Sequence, residues 1–272
     1  MSDAALWELL GPDRAVATSR ARGPWDPGSL HGGPVSALLA RAVERHEPAD
    51  GTDWFVARLT VELERPVPVA PLAWTVTTAR PGRKVSLVDV TLTLAASGAV
   101  LARARALRLR RAPVALPHDD PVLGPHLAPL DAPPGPDQSV PDGSTVDGYE
   151  GFHNAGSEHR FAEGRWSEPG PVIDWIRLRQ PVVAGEQPSP LQRVVAGADF
   201  ANGISHALSF DTHVFINPDL TVHLLRPLEG EWVGLASRSL YSDHGVGLSD
   251  TALYDTRGRI GRSNQSLLLD TR

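Results

Sequence analysis

The sequence predicts an α+β fold built twice over, each copy a helix followed by antiparallel strands. Three observations predict it. Residues 35–46 and 191–206 carry apolar side chains at 3.6-residue spacing, as helices with a buried face do. Each stretch is followed by runs that alternate apolar with polar residues, the period of a half-buried strand. The runs also recur: Leu59-Thr-Val-Glu-Leu-Glu-Arg-Pro66 matches Leu220-Thr-Val-His-Leu-Leu-Arg-Pro227 at six of eight positions, 161 residues on.

In chain order, residues 1–30 read as a short amphipathic start followed by the turn Gly23-Pro-Trp-Asp-Pro-Gly28. His31-Gly32-Gly33-Pro34 then opens the first helix, where His31 reads as a turn anchor and early backbone N–H groups stand free for a ligand. Val35, Leu38, Leu39, Ala42 and Val43 form its stripe. After a break at 48–51, strands are expected over 56–64, 74–79, 85–94 and 100–109, with hairpin breaks at Pro66-Val-Pro68, 80–83 and Ser97-Gly98.

From about 113 to 157 Pro, Gly and Asp dominate, which predicts a surface connection between units at 1–112 and 158–272. The second unit starts with strands over 160–166 and 172–183. Its helix follows Ser189-Pro190, with Leu191, Val194, Val195 and Ala198 as the stripe. Strands over 212–217, 219–225, 232–241, 246–254 and 260–269 complete it.

The repeat extends beyond one segment. Leu87-Val-Asp89 answers Leu248-Ser-Asp250 at 161, Gly98–Arg103 answers Gly258–Ser263 at 160, and Trp74 and Trp232 take similar places. The first helix motif starts at His31 and the second at Leu191, again 160 apart. On this count Asp199 falls opposite Leu39, Gln265 opposite Arg105 and Asn217 opposite Val56. The second copy holds a polar set that the first lacks.

Composition excludes several classes. With no cysteine among 272 residues there is no disulfide, thiolate metal site or cysteine nucleophile. A net charge of −6 argues against a general nucleic-acid binder. The first residues carry acid where a secretory signal carries base, and no apolar run reaches membrane-spanning length, so the expectation is a soluble cytoplasmic protein with no membrane partner. None of the ten histidines has paired metal-ligand spacing, so no metal is expected. Gly203-Ile-Ser205-His206 fails as a serine-nucleophile elbow because Ala207 stands where glycine is needed. The arginine run 103–111 reads most simply as the solvated face of an edge strand.

A duplicated helix-and-sheet unit with His31-Gly32-Gly33 at one helix start, Ala198-Asp199-Phe200 in the other helix and Ser263-Asn-Gln265-Ser266 on the last strand resembles the double-hotdog acyl-CoA thioesterases of the acyl-CoA thioesterase II (TesB-like) family. The resemblance implies a tandem hotdog: two long central helices, each wrapped by antiparallel sheet, with the sheets able to join. It also implies hydrolysis of acyl-CoA without a cofactor, coenzyme A being part of the substrate, and possible pairing of chains. That family orients a water with an Asp, a Thr or Ser, and a Gln. Asp199 and Gln265 match by type; the hydroxyl position falls at Asn217, a departure for which Thr221 or Thr212 are substitutes.

The chemistry asks for an activated water and an oxyanion hole. Asp199 suits the base, and amides of Gly32 and Gly33 suit the hole, giving one composite site if the halves pack as a pseudo-dimer. The arginine run would then have coenzyme A phosphates as an alternative partner. Two other readings stand beside this one. A hotdog hydratase pairs an Asp with a His a few residues away, and here the nearest, His206, lies seven residues on. A non-catalytic acyl-CoA-binding module would fit the missing hydroxyl.

Overall fold

The computed structural model describes residues 5–46, 51–143 and 149–272. The break expected at 48–51 and the very start of the chain therefore fall mostly outside the described residues.

Helix α1 (Gly32–Arg45) is capped by His31, whose ring accepts the Gly33 N–H. Its predicted stripe is buried, but so is everything else from Gly33 to Val43, Ser36 and Arg41 included. It is a core helix closed on all sides. The first half supplies strands β1 (Trp7–Gly11), β2 (Arg14–Ala17), β3 (Trp54–Leu63), β4 (Leu72–Arg80), β5 (Val85–Leu94) and β6 (Val100–Arg110). The β1–β2 hairpin lies where an amphipathic start and a loop were expected. Trp7 anchors it, donating through its indole to the Pro34 carbonyl at 3.0 Å.

Segment 113–157 is not all surface. It holds one turn of helix, α2 (Gly124–Leu127), the short strand β7 (Val140–Asp142), and a wide helical turn at Phe152–Gly156 that buries Phe152 and His153. The second half continues with β8 (Ser157–Glu163), β9 (Val172–Leu178), α3 (Pro190–Ala198), α4 (Ala201–Ile204), β10 (His213–Ile216), β11 (Asp219–Leu224), β12 (Val233–Ser242), β13 (Val246–Asp255) and β14 (Gly258–Thr271).

Two long central helices were expected, and only α1 is long. The helical pattern over 191–206 is split: α3 has nine residues against fourteen in α1, and α4 resumes after Asp199 and Phe200. Ser189 caps α3 by accepting the Gln192 N–H, and Pro190 takes the first position, where its missing N–H has no helical partner anyway.

The strands form one antiparallel sheet in the order β1-β2-β4-β5-β6-β3-β11-β14-β13-β12-β9-β8-β7, with β10 beside β14. The halves join along β3 and β11, where Thr60 pairs with Thr221 and their hydroxyls bond at 3.1 Å. These two threonines are the same position of the repeat, so a local two-fold axis passes between them.

Register corrects the repeat count. Asp89 lies across from Arg105, and Asp250 across from Asn264. Both halves have a bulge at one place, after Leu92 and after Leu253, but the turn between Tyr254 and Arg259 is two residues shorter than the one between Thr93 and Val100, so β14 runs 159 rather than 160 residues behind β6. Gln265 therefore answers Ala106, not Arg105; both are fully buried. Thr77 faces Asp89 as Arg238 faces Asp250, so Trp74 answers Leu235 and not Trp232. The helix caps His31 and Ser189 are 158 apart, which puts Arg41, not Leu39, in the place of Asp199.

Nor is β6 an edge strand, since it lies between β5 and β3. Arg103 and Arg105 are solvated as expected, bonded to Glu64 and Asp89 across the strands, whereas Arg108 turns into the interior. The core lies between the sheet and the antiparallel pair α1 and α3. At one end Gly33 meets the Ala196 carbonyl; at the other Glu44 accepts from Ser189 and Gln192 at 2.8 and 2.9 Å.

Candidate active site

Antiparallel packing carries the start of α1 to the end of α3, and Asp199 stands at that junction. It is 5% exposed. Its Oδ2 lies 2.8 Å from His31 Nδ1, and its Oδ1 accepts from Asn217 Nδ2 at 2.9 Å. Gln265 Nε2 donates to the Asp199 backbone carbonyl at 3.2 Å and stands 3.5 Å from Oδ1. The Gln265 Oε1 accepts the Asn202 N–H at 3.1 Å. One carboxamide thus satisfies a carbonyl at the end of α3 and an N–H at the start of α4. It replaces the helical bonds that the break leaves unmade, which is why the helix can stop here without orphaned groups.

The glycines divide their roles. A Cβ on Gly32 would sit 2.7 and 2.8 Å from the two Asp199 carboxylate oxygens, so only glycine lets the carboxylate approach the helix start. A Cβ on Gly33 would strike the Ala196 carbonyl at 2.5 Å and Phe152 at 2.9 Å, so Gly33 is set by helix packing. Its N–H is engaged by His31 Nδ1 at 3.1 Å. Gly32, first in the helix, has no intrahelical acceptor for its own N–H.

His31, Gly32, Asp199, Asn217 and Gln265 are therefore brought together, while the Gly33 amide points at His31 rather than into the site. The substitute hydroxyls are committed elsewhere: Thr221 to Thr60 at the seam, Thr212 to His213. His206 bonds the Leu208 carbonyl and packs on Phe210. The histidine beside Asp199 is His31, from the other half, which chain distance could not indicate.

Sequence reasoning also missed the wall behind the site. The Phe200 ring lies 4.6 Å from His31 and 4.6 Å from His159, with Phe152 stacked at 5.2 Å. His159 bonds Asp174 at 2.6 Å and Ser157 at 2.9 Å. These are the residue types of a nucleophilic triad, but the Ser157 hydroxyl donates to the Phe152 carbonyl and all three residues are buried. The group is a support, since a nucleophile must meet substrate. Burial holds the Asp174 carboxyl above its usual range. His153 has no hydrogen-bond partner for either ring nitrogen among the described residues. Burial, with His31 and His159 nearby, pushes it down to about 4. Strand alternation on β8 and β9 marks these positions as inward-facing, and nothing in their spacing marks them as a polar cluster.

One large antiparallel sheet packed on a buried helix is the architecture of the hotdog class of protein. Comparison with known proteins narrows it. Residues 21–109 match the acyl-CoA thioesterase N-terminal domain and residues 126–269 the acyl-CoA thioesterase C-terminal domain. The chain belongs to the acyl-CoA thioesterase family, and it is a thioester hydrolase. Among solved structures it is similar to a hot-dog-fold protein of unknown function from Alicyclobacillus acidocaldarius, at TM-score 0.71 and 15% identity over 99% of this chain and 97% of that one. It is also similar to the acyl-CoA thioesterase II TesB2 of Mycobacterium marinum, at TM-score 0.66 and 16% identity over 98% and 96%. The tesB protein of Mycobacterium avium subsp. paratuberculosis gives 0.65 and 16% over 97% and 96%. No curated protein matches the chain. Among the described residues no helix is long and apolar enough to cross a membrane, and no group of three or more His, Cys, Asp or Glu could hold a metal ion.

Proposed function

We propose that this tandem hotdog hydrolyses acyl-CoA thioesters at the Asp199 junction, with Asp199 as general base toward a bound water. The observation that carries the reading is the meeting of a carboxylate from the second half with an open helix start from the first. A thioester carbonyl placed over Gly32 meets its N–H and the positive end of α1, which stabilise the oxyanion as it forms. The water donates one proton to Asp199 as its oxygen bonds the carbonyl carbon. Collapse breaks the carbon–sulfur bond, and the proton passes to the departing thiolate. Acid and thiol leave.

Asn217 does what a hydroxyl would do toward Asp199, by donation, and its remaining carboxamide oxygen can accept the second proton of the water. Gln265 acts through position. Its contacts fix the backbone and side chain of Asp199, and it is buried away from solvent. His31 couples the parts. One nitrogen cannot both accept from Gly33 and donate to Asp199, so the tautomer of His31 decides which of the two it holds.

The test is release of free thiol from acyl-CoAs of graded chain length. Hydrolysis that is lost in Asp199→Asn while acyl-CoA binding persists supports the reading; binding without turnover by the unaltered protein sinks it. The His31–Asp199 pair is the one observation that favours hydratase chemistry. Loss of enoyl absorbance from an enoyl-CoA, without thiol release, would establish that instead.

A further inference from the structure

The two-fold that relates the halves gives the active site a counterpart at the other end of the helix pair, and that counterpart holds a cavity. The cavity measures about 270 Å³ and is bordered by Val56, which answers Asn217, and by Pro190, which answers Gly32. Its apolar wall is Val43, Leu191, Leu224 and Leu228. Its charged side is Arg108 and Arg111, whose guanidiniums lie 5.7 and 5.4 Å from the rings of Trp54 and Phe55.

Arg108 is 5% exposed. It donates to the His46 carbonyl at 2.9 Å and to Ser86 at 3.3 Å, its Nε has no partner, and no carboxylate pairs with it among the described residues. A buried cation without a counter-ion costs several kcal/mol unless something offsets it. The end of α1 offsets part, through the His46 carbonyl and the helix dipole. Of the cavity's acids, Glu44 is already held by Ser189 and Gln192, and burial raises its carboxyl toward the neutral form. Asp53 is solvent-exposed and 3.9 Å from Arg111.

We propose that this counterpart cavity is a second ligand site, taking a linear monocarboxylate of about six to eight carbons, a length that fills the volume at roughly 30 Å³ per heavy atom. The carboxylate sits against Arg108 and Arg111, and the chain lies along Val56, Leu191 and Leu224. A guanidinium pair supplies the planar, fixed donors that a carboxylate matches. Arg41 stands in the place of Asp199 and Pro190 lacks the N–H that Gly32 offers, so the site binds and does not hydrolyse. It stands or falls independently of the chemistry at Asp199.

Isothermal titration of the whole chain with octanoate tests this. Binding at or below about 10 mM is expected, weakened about tenfold or more in Arg108→Gln, the worth of one charged hydrogen bond. A weaker loss is expected in Arg111→Ala, and binding should vanish in Val56→Phe, which fills the cavity. Thioester hydrolysis should be unchanged in all three, and 1-octanol should bind far less well. If Arg108→Gln does not fold, the exposed Arg111→Ala and the apolar Val56→Phe decide. No binding to the unaltered protein, equal binding of octanol, or binding indifferent to Val56→Phe would each overturn the proposal. So would displacement by free coenzyme A, or loss of binding in Asp199→Asn, because both place octanoate elsewhere.

Discussion

At one end of the helix pair stand Gly32, Asp199, Asn217 and Gln265; the repeat puts Pro190, Arg41, Val56 and Ala106 at the other. The difference is not a single lost residue. Pro190 lacks the N–H that Gly32 offers, and Arg41, bonded twice to Glu186, replaces the carboxylate with a committed cation. The proposed base and oxyanion donor are present together or absent together. That is the behaviour of parts useful only as a set, and it separates chemistry from packing, which both ends have kept.

The contrast can be broken by mutation. Asp199→Asn should lower kcat about a thousandfold, within the range for removing a general base, with circular dichroism unchanged. A smaller loss, about a hundredfold, is expected for Gly32→Ala, whose methyl displaces the carboxylate by an ångström or so. Pro190→Ala, the matching change at the other end, should leave the rate alone; an equal loss there would refute the asymmetry.

Importing first-half residues into the second grades the effect further. Gln265→Ala strands the Asn202 N–H and the Asp199 carbonyl, at about 2 kcal/mol and a fall in Tm of roughly 4–8 °C by calorimetry. Asn217→Val should cost about tenfold in kcat by removing one hydrogen bond to a charge. Asn217→Thr should recover most of it. A threonine variant as slow as the valine one would show that the carboxamide itself is needed.

Acid gives the mildest prediction. The imidazole of His153 lies at the catalytic end, and its folded pKa is lowered from 6.5 to about 4. The unfolded chain therefore takes up a proton first as pH falls, so this contribution to stability is whole above 6.5 and is lost on the way down to about 4. At pH 5.5 the loss is about 1 kcal/mol, read as a drop in urea midpoint from pH 7.5 that His153→Leu should lack. Hydrogen exchange should show the catalytic end loosening before the cavity end.

Much of this was legible beforehand. The first helix, most strands and the duplication rest on periodicities that tertiary context rarely overrides, and Asp199, Asn217 and Gln265 stood out because their counterparts were apolar or cationic. The helix break was not legible, because Phe200, Ala201 and Ile204 continue the apolar pattern. What stops α3 is a glutamine on β14, 66 residues further on. The repeat count slipped for a related reason: a shorter hairpin turn and a displaced helix cap shift register by one or two residues without altering the alternation. The His31–Asp199 contact joins different halves, and the β1–β2 hairpin is too short to show a period.

The seam between β3 and β11 has a further consequence during synthesis. The last strand of the first half ends at Arg110, well before Thr221 is made, and at 5–20 residues per second the gap lasts roughly six to twenty seconds. For that interval β3 is an open edge of a finished half-sheet, a template for any passing strand. The polar row Arg58, Thr60 and Glu62 along it gives a stray strand little apolar surface to grip. The nascent half can wait for its own partner.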